Sequence, residues 1–531
     1  MYHGDVSIHE RKREIIMKER VKLNKPVFWV PLIVMVGMVI LSFVNVDAFA
    51  SITGKGTTWI SNNTMWFVCL GMIFMVTFLF LFLFLPIGKK RIGGPDAKSR
   101  YKNIPWFAMV LCGSIGSGII FWGVGQPMTY FMEVAKDWGM EPGSTDAAVK
   151  AIAQCSWEWA AQYCFYAFYA VALGIAAFNH AQPLRVSSFA YLATGREPST
   201  WVKLLIDILC VTCIIASVTC SLGNGIMQLS SGLNIIAGVE ISKVLWLIVA
   251  IAVVAAFILT SVSGVDKGIS KLANFNFYSY AIILVLIFVI GPGKYVLSLA
   301  TESMSYLVGN IFETAGYTGV LDGVSWTKDW PFWQFVGAAG FAPIFGIFFA
   351  KISYGRTIKE VVIGVGLLPA LFNIIWFCIF GGYAFHLQTT GQYDVWGNIV
   401  AKGAEASMFD LLAQLPLGKV FVVVFWVIIF ISFVTMANSV TTSAAIVTTQ
   451  TKINKDGDGE PPALIKFIWG IVMGATAYTF ISFAGIAGAK SAINLFDFPL
   501  FVMVVCCLCV LIKYLFGKKK IAEVYTGPEE N

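Results

Sequence analysis

Apolar residues run through this chain in unbroken blocks of about 20, separated by short polar or Gly/Pro-rich stretches, rather than in the alternation of a half-buried strand. A block of that length, rising about 1.5 Å per residue as a helix, spans roughly 30 Å of hydrocarbon. The blocks predict about twelve membrane-crossing helices, over 27–46, 65–86, 104–131, 148–178, 203–225, 242–263, 275–298, 330–350, 361–385, 418–446, 463–485 and 491–516. The stretch from Leu297 to Phe312 is interspersed with Glu302, Ser303 and Asn310 and reads as an interfacial helix. Ile8 to Leu23 alternates charge with Ile15, Ile16 and Val21, which fits either an amphipathic helix on the inner leaflet or a solvated tail.

Composition narrows the class. Of 531 residues 58% are hydrophobic and 13% charged, against about a quarter charged in soluble domains. The mean hydropathy is +0.76. A water-soluble enzyme is excluded, and the expected class is an all-α polytopic membrane protein. The charge of +7 reflects basic loops and predicts no nucleic-acid partner. Basic residues cluster before the first run, at Lys89, Lys90, Arg91, Lys98, Arg100 and Lys102, at Lys351, Arg356 and Lys359, and at Lys518, Lys519 and Lys520. The positive-inside rule then puts both termini in the cytoplasm of a cell-membrane protein. The first 25 residues are too polar for a cleavable signal, so the first run should remain as a helix. Most cysteines lie inside apolar runs, and Cys210 with Cys213 reads as helix packing rather than metal or redox chemistry. Neither zinc-site spacing nor a phosphate-binding loop is present, which excludes ATP-driven transport and predicts no cofactor beyond a coupling ion.

Two runs carry helix breakers at mid-span: Gly113-Ser114-Ile115-Gly116-Ser117-Gly118 in the third, and Gly337-Ala338-Ala339-Gly340 with Pro343 in the eighth. Unwound backbone at such a place can face a ligand where it lines a cavity; close packing through small residues is the competing reading. Runs three to seven and eight to twelve are two sets of five, each beginning with an interrupted helix, as in inverted-repeat transporters. The expected layout is a cytoplasmic tail over 1–26, two added helices and a loop over 27–103, a first repeat over 104–298, an external segment over 299–329, a second repeat over 330–516 and a cytoplasmic tail over 517–531.

Three blocks carry a family resemblance: Ser114 to Gly123, Cys220-Ser221-Leu222-Gly223, and Ala350-Lys351-Ile352-Ser353-Tyr354-Gly355-Arg356-Thr357. Together with the Asp456-Gly457 to Pro461-Pro462 loop, they make residues 27–516 resemble the betaine/carnitine/choline transporter family. The resemblance implies a LeuT-like fold of 5+5 inverted repeats after two extra helices, alternating access and commonly a homotrimer. It also implies a small-molecule solute held in an aromatic cage. Trp157 matches the first cage position, whereas Gln162 stands for a second Trp and Phe165 for a Tyr. In the eighth run Phe335-Val336-Gly337-Ala338 replaces a Trp-x-Trp-Trp, and Phe341 retains a ring. The expected solute contacts are Ser114, Gly116, Trp157, Glu158, Gln162, Phe165, Ala338 and Phe341. The vacated positions leave three readings: a bulkier solute, a polar group on Gln162, or a cage rebuilt from Tyr163, Tyr166 and Phe341. They favour a zwitterion over a strictly trimethylated cation.

Glu158 lies inside a span, where a carboxylate points to function, as a counter-charge or proton carrier; at helical spacing it shares a face with Gln162 and Phe165. For sodium, the resemblance implies a site formed by Cys112 and Ile115 of the first broken helix with Thr435 of the tenth run, where Met436 replaces the usual serine neighbour. Asn276, with Asn274 beside it, stands where sodium-independent relatives carry a basic residue. Sodium symport is the first expectation, proton coupling through Glu158 the second and solute exchange the third; a channel is the reading from a different class.

Overall fold

The computed structural model describes residues 23–114, 117–262, 266–449, 461–517 and 521–527. Ile115, Gly116, the amphipathic segment before Leu23, Asp456 with Gly457, and Lys518 to Lys520 lie outside the described residues, and of Cys112, Ser114 and Asn274 only the helical backbone is described. Among the described residues the chain is all helix, with three isolated bridges and no strands. The helices are α1 (Lys25–Val44), α2 (Val46–Phe84), α3 (Asn103–Ser114), α4 (Ser117–Met132), α5 (Thr145–Ala161), α6 (Tyr163–His180), α7 (Thr200–Ala237), α8 (Lys243–Val262), α9 (Asp266–Ile290) and α10 (Gly293–Gly309). There follow α11 (Ile311–Gly316), α12 (Trp333–Ile352), α13 (Ile358–Val361), α14 (Leu368–Thr390), α15 (Val395–Lys402), α16 (Ala404–Ala413), α17 (Gly418–Thr448), α18 (Ala463–Thr479) and α19 (Gly485–Phe516).

Eight helical stretches among the described residues are long and apolar enough to cross a membrane, or nine if Phe275–Ile290 and Gly293–Gly309 are one span bent by 106°. The bend lies at Gly291 and Pro292, just before the segment from Leu297 to Phe312. One of the eight, Ala463–Phe516, holds two of the predicted runs and is interrupted by a π-turn at Phe480–Ala484 and by Gly485 at φ +66°. The stretch between the first two predicted runs, Ser51 to Thr64 within it, is helix, its polar side chains bonding back to the helix or across it. Asn45 caps α2 at Ala48 N (2.9 Å), Thr53 donates to Phe49 O (2.8 Å), and Thr57 donates to Ser491 O (2.7 Å).

The interruption expected at Gly337–Gly340 is absent. α12 runs unbroken through these residues and Pro343, and the irregular turn lies before it, a π-turn at Lys328–Phe332. The glycines serve close approach: a Cβ on Gly340 would sit 1.9 Å from Ser217 Oγ and 2.5 Å from Asp497 Oδ2. α12 thus packs tightly against α7 and α19 at mid-length, with α6 along its other side.

The block from Ala350 to Thr357 ties one end of the bundle together. Arg356, buried, donates to Asn103 Oδ1 and Tyr101 O (2.9 Å each) and stacks over Trp106 at 4.0 Å. Trp106 in turn donates to Ser353 Oγ (3.1 Å). Gly355 adopts φ +76°, and a Cβ there would strike the backbone of Lys98, so only glycine fits. At the same end residues 521–527 lie along the last turn of α6. Val524 N donates to Asn179 O (2.8 Å) and Thr526 N to Phe178 O (3.0 Å). Glu523 pairs with Lys90 and accepts from Tyr514 and Tyr525 (2.6 Å each). Burial opposes its ionisation, but these hydrogen bonds and the Lys90 charge outweigh it and bring Glu523 down to about 2 from 4.5.

Two outcomes follow from this packing. Gly340→Ala should destabilise the bundle by about 1–3 kcal/mol through overpacking, and Ser217→Gly in the same chain should restore part of the loss, read as the thermal midpoint in detergent. Because a depressed carboxylate stabilises only where it is ionised, docking of the tail should be constant above pH 4.5 and be lost as the pH falls through about 2. Glu523→Gln should speed amide exchange at Val524 and Thr526 at neutral pH.

Candidate functional site

A cavity of about 90 Å³ lies where α4, the junction of α5 and α6, α7, α12, α14, α17 and α19 meet. That is room for several waters or one small solute. Gly118 of α4 faces it together with Gly337 and Ala338 of α12, so the two glycine-bearing spans do meet across it. Gly118 also makes space for an indole: a Cβ there would lie 2.8 Å from the Trp159 ring.

The helix formed by α5 and α6 is interrupted at Gln162, and a belt of amides gathers there. The Trp159 carbonyl accepts from Gln162 Nε2 and Asn373 Nδ2 (3.1 Å each), Gln334 Nε2 donates to Gln162 Oε1 (3.1 Å), and Tyr163 OH donates to Asn373 Oδ1 (3.5 Å). Gln162, Gln334 and Asn373 are all buried, and burying amides is tolerable only when they bond one another. Between them the wall is aromatic: Trp122, Trp159, Tyr163, Tyr166, Trp333, Phe341 and Phe345. Tyr166 meets Phe345 edge-on at 5.0 Å and Tyr163 at 5.5 Å. The indole N–H groups of Trp122 and Trp333 and the Asn224 carbonyl oxygen, all on lining residues, find no partner among the described residues.

Glu158 is fully buried behind this wall. It accepts from Gln126 Nε2 (2.6 Å), Tyr130 OH (2.6 Å) and Gln154 Nε2 (2.8 Å). Gln126 then accepts from Trp159 Nε1 (2.7 Å), so the carboxylate orients Gln126 and Gln126 orients the indole. A second buried carboxylate, Asp497, takes the hydroxyl of the lining Ser217 on Oδ2 (2.6 Å), while its Oδ1 has no partner among the described residues.

Of the expected contacts, Gln162, Ala338 and Phe341 line the cavity. Trp157 does not; it packs edge-on against Phe335 at 6.3 Å, and Trp159 takes the cavity face. Phe165 packs on Phe501 at 5.9 Å and does not line the cavity, which is faced instead by Trp159, Gln162, Tyr163 and Tyr166 at helical spacing. Thr435 lies on α17 with its hydroxyl donating to Ile431 O (2.8 Å), and Met436 beside it reaches the cavity. Asn276 donates to Ser432 Oγ (2.9 Å) on the same helix. Asn373, Gln334, Asp497 and Lys490 were not anticipated; an ionisable residue in or beside an apolar run, as Asp497 and Lys490 are, is the signal that could have found the last two.

A membrane-length helical bundle enclosing a small aromatic and amide-lined chamber at its middle has the architecture of a solute carrier. The model of the BCCT, betaine/carnitine/choline, family of transporters matches residues 26–520. The chain therefore belongs to the betaine/carnitine/choline transporter family, a family of transporters rather than enzymes. It is 26% identical over 497 residues to the glycine betaine transporter OpuD of Bacillus subtilis (strain 168), covering 93% of this chain and 95% of that protein. It is 29% identical to a probable glycine betaine transporter of Desulfitobacterium hafniense (strain Y51), over 87% and 91% of the two chains. It is 26% identical to an ectoine/hydroxyectoine transporter of Virgibacillus pantothenticus, over 94% and 98%.

A desolvated ring against a cation is worth about 0.5–2 kcal/mol. Trp159→Ala should therefore weaken solute binding about tenfold, whereas Trp157→Ala should change it less than about twofold, measured by titration of purified, folded protein.

Proposed function

We propose that this chain is a secondary active transporter of a small zwitterionic or quaternary-ammonium solute, working by alternating access. The observation that carries the reading is the chamber between α4 and α12, lined by seven aromatic rings and an amide belt. Rings suit a methylated ammonium group and amides suit a polar or charged end, a pairing that a betaine- or ectoine-like osmolyte presents. The names of the relatives, glycine betaine and ectoine transporters, point to the same solutes. Trp159, Tyr166 and Phe341 are among the rings that would receive the ammonium or apolar part of the solute.

The accompanying topology is twelve spans in a LeuT-like 5+5 inverted repeat after two added helices, over the boundaries given above. Both termini are cytoplasmic, the membrane is the cell membrane, and the assembly is a homotrimer. Coupling to sodium is supported by Thr435, whose hydroxyl oxygen is a ligand type sodium takes and whose neighbour Met436 borders the chamber. Counterflow in proteoliposomes against betaine, carnitine, choline, ectoine, taurine and amino acids tests the solute class, and uptake linear in concentration would instead indicate a channel.

Thr435→Ala should raise the apparent sodium constant severalfold with saturating uptake preserved. Accumulation driven only by an opposing solute gradient, with neither a sodium nor a proton gradient, would assign exchange. Loss of pH-driven accumulation in Glu158→Gln, with exchange retained, would assign proton coupling.

A further inference from the structure

Lys490, near the start of α19, points its ammonium group into three indole rings: Nζ lies 3.7 Å from the Trp330 centroid, 4.2 Å from Trp333 and 4.4 Å from Trp122. The three rings stand edge to face around it, with Trp122 5.0 Å from Trp330 and 5.6 Å from Trp333. This is an aromatic box of the kind that receives quaternary ammonium ligands. Here the chain's own cation occupies it. The only hydrogen-bond acceptor for Nζ among the described residues is Asp329 O at 3.2 Å, and no carboxylate lies within ion-pair distance.

The box adjoins the chamber, because Trp122 and Trp333 are walls of both and Ile493, three residues on from Lys490, lines the chamber too. Two consequences follow from elementary electrostatics. A solute's ammonium group cannot use the three tryptophans, since the position is filled by like charge. A positive charge at the edge of a chamber walled largely by aromatic rings attracts an anionic group and repels a net cation more strongly than it would in bulk water. The unpartnered indole N–H groups of Trp122 and Trp333 are further donors on the same two rings.

We infer that Lys490, with Trp122 and Trp333, forms the subsite for the anionic group of the solute, a carboxylate or sulfonate, and makes the protein reject solutes that carry positive charge alone. The ammonium or apolar part of the solute then lies against Trp159, Tyr166 and Phe341. The inference rests on the chamber being the solute site and adds which chemical class enters it.

Matched solutes test it. Glycine betaine and choline share the trimethylammonium group and differ in the carboxylate; proline and prolinamide differ in the same sense without a quaternary group. Binding to purified full-length protein in nanodiscs is followed by tryptophan fluorescence and by displacement of labelled solute. Wild type should bind the carboxylate member of a pair at least tenfold more tightly. Lys490→Met should abolish that preference while retaining choline or prolinamide binding, and Lys490→Arg should keep it. Equal loss of both members in Lys490→Met, with the variant folded by thermal melt, overturns the inference, as does a wild type without preference. A wild type that binds neither betaine nor choline refutes the quaternary solute class, and the lysine is then judged on the proline pair. Binding of none of the four overturns both.

Discussion

A peptide carbonyl inside a hydrocarbon layer has no water to turn to, so every departure from a regular helix must bring its own donors. The turn at Gln162 is such a departure, and the rest of the chamber is arranged around it. The Trp159 carbonyl is held by two side-chain amides, one from Gln162 itself and one from Asn373 on α14, and Gln334 of α12 completes the belt. Segments far apart in sequence are thereby joined at one junction, α14 to the Trp159 carbonyl and α12 to the Gln162 side chain. Trp159, Gln162, Tyr163 and Tyr166 share one helical face toward the chamber, and the amide belt crosses there.

The carboxylate of Glu158 is part of this support. An acidic side chain in a span invites a reading as counter-charge or proton carrier, yet its oxygens are already committed to Gln126, Tyr130 and Gln154. Through Gln126 it fixes the tilt of Trp159. It sits one layer behind the chamber wall, joined to it through Gln126 and Trp159.

Much of the fold was legible because a lipid environment demands length and apolarity, properties that any stretch of chain displays without reference to its neighbours. The segment between the first two predicted runs reads as a loop because serine, threonine and asparagine mark loops in water, yet here they bond helix carbonyls, their own or a neighbour's, and the helix continues. Glycines at 337 and 340 carry the same letters for unwinding and for close approach; only Ser217 and Asp497 beside Gly340, and Ile493 beside Gly337, decide between them. The family was legible in the run from Ala350 to Thr357, whose buried arginine and positive-φ glycine leave little freedom for substitution. Trp159 shares the helical face of Gln162, Tyr163 and Tyr166, which periodicity can read, whereas its partner Gln126 lies 33 residues away and could not be read locally.

The docked segment over 521–527 has one more implication. It grips the last turn of α6, and α6 begins at the chamber, about 27 Å away along 18 residues. Any rocking of that helix during a transport cycle either drags the tail with it or shears its backbone bonds at Asn179 and Phe178. A spectroscopic label on Gly527 would therefore be a pointer attached to the chamber's own helix, readable from outside the bilayer.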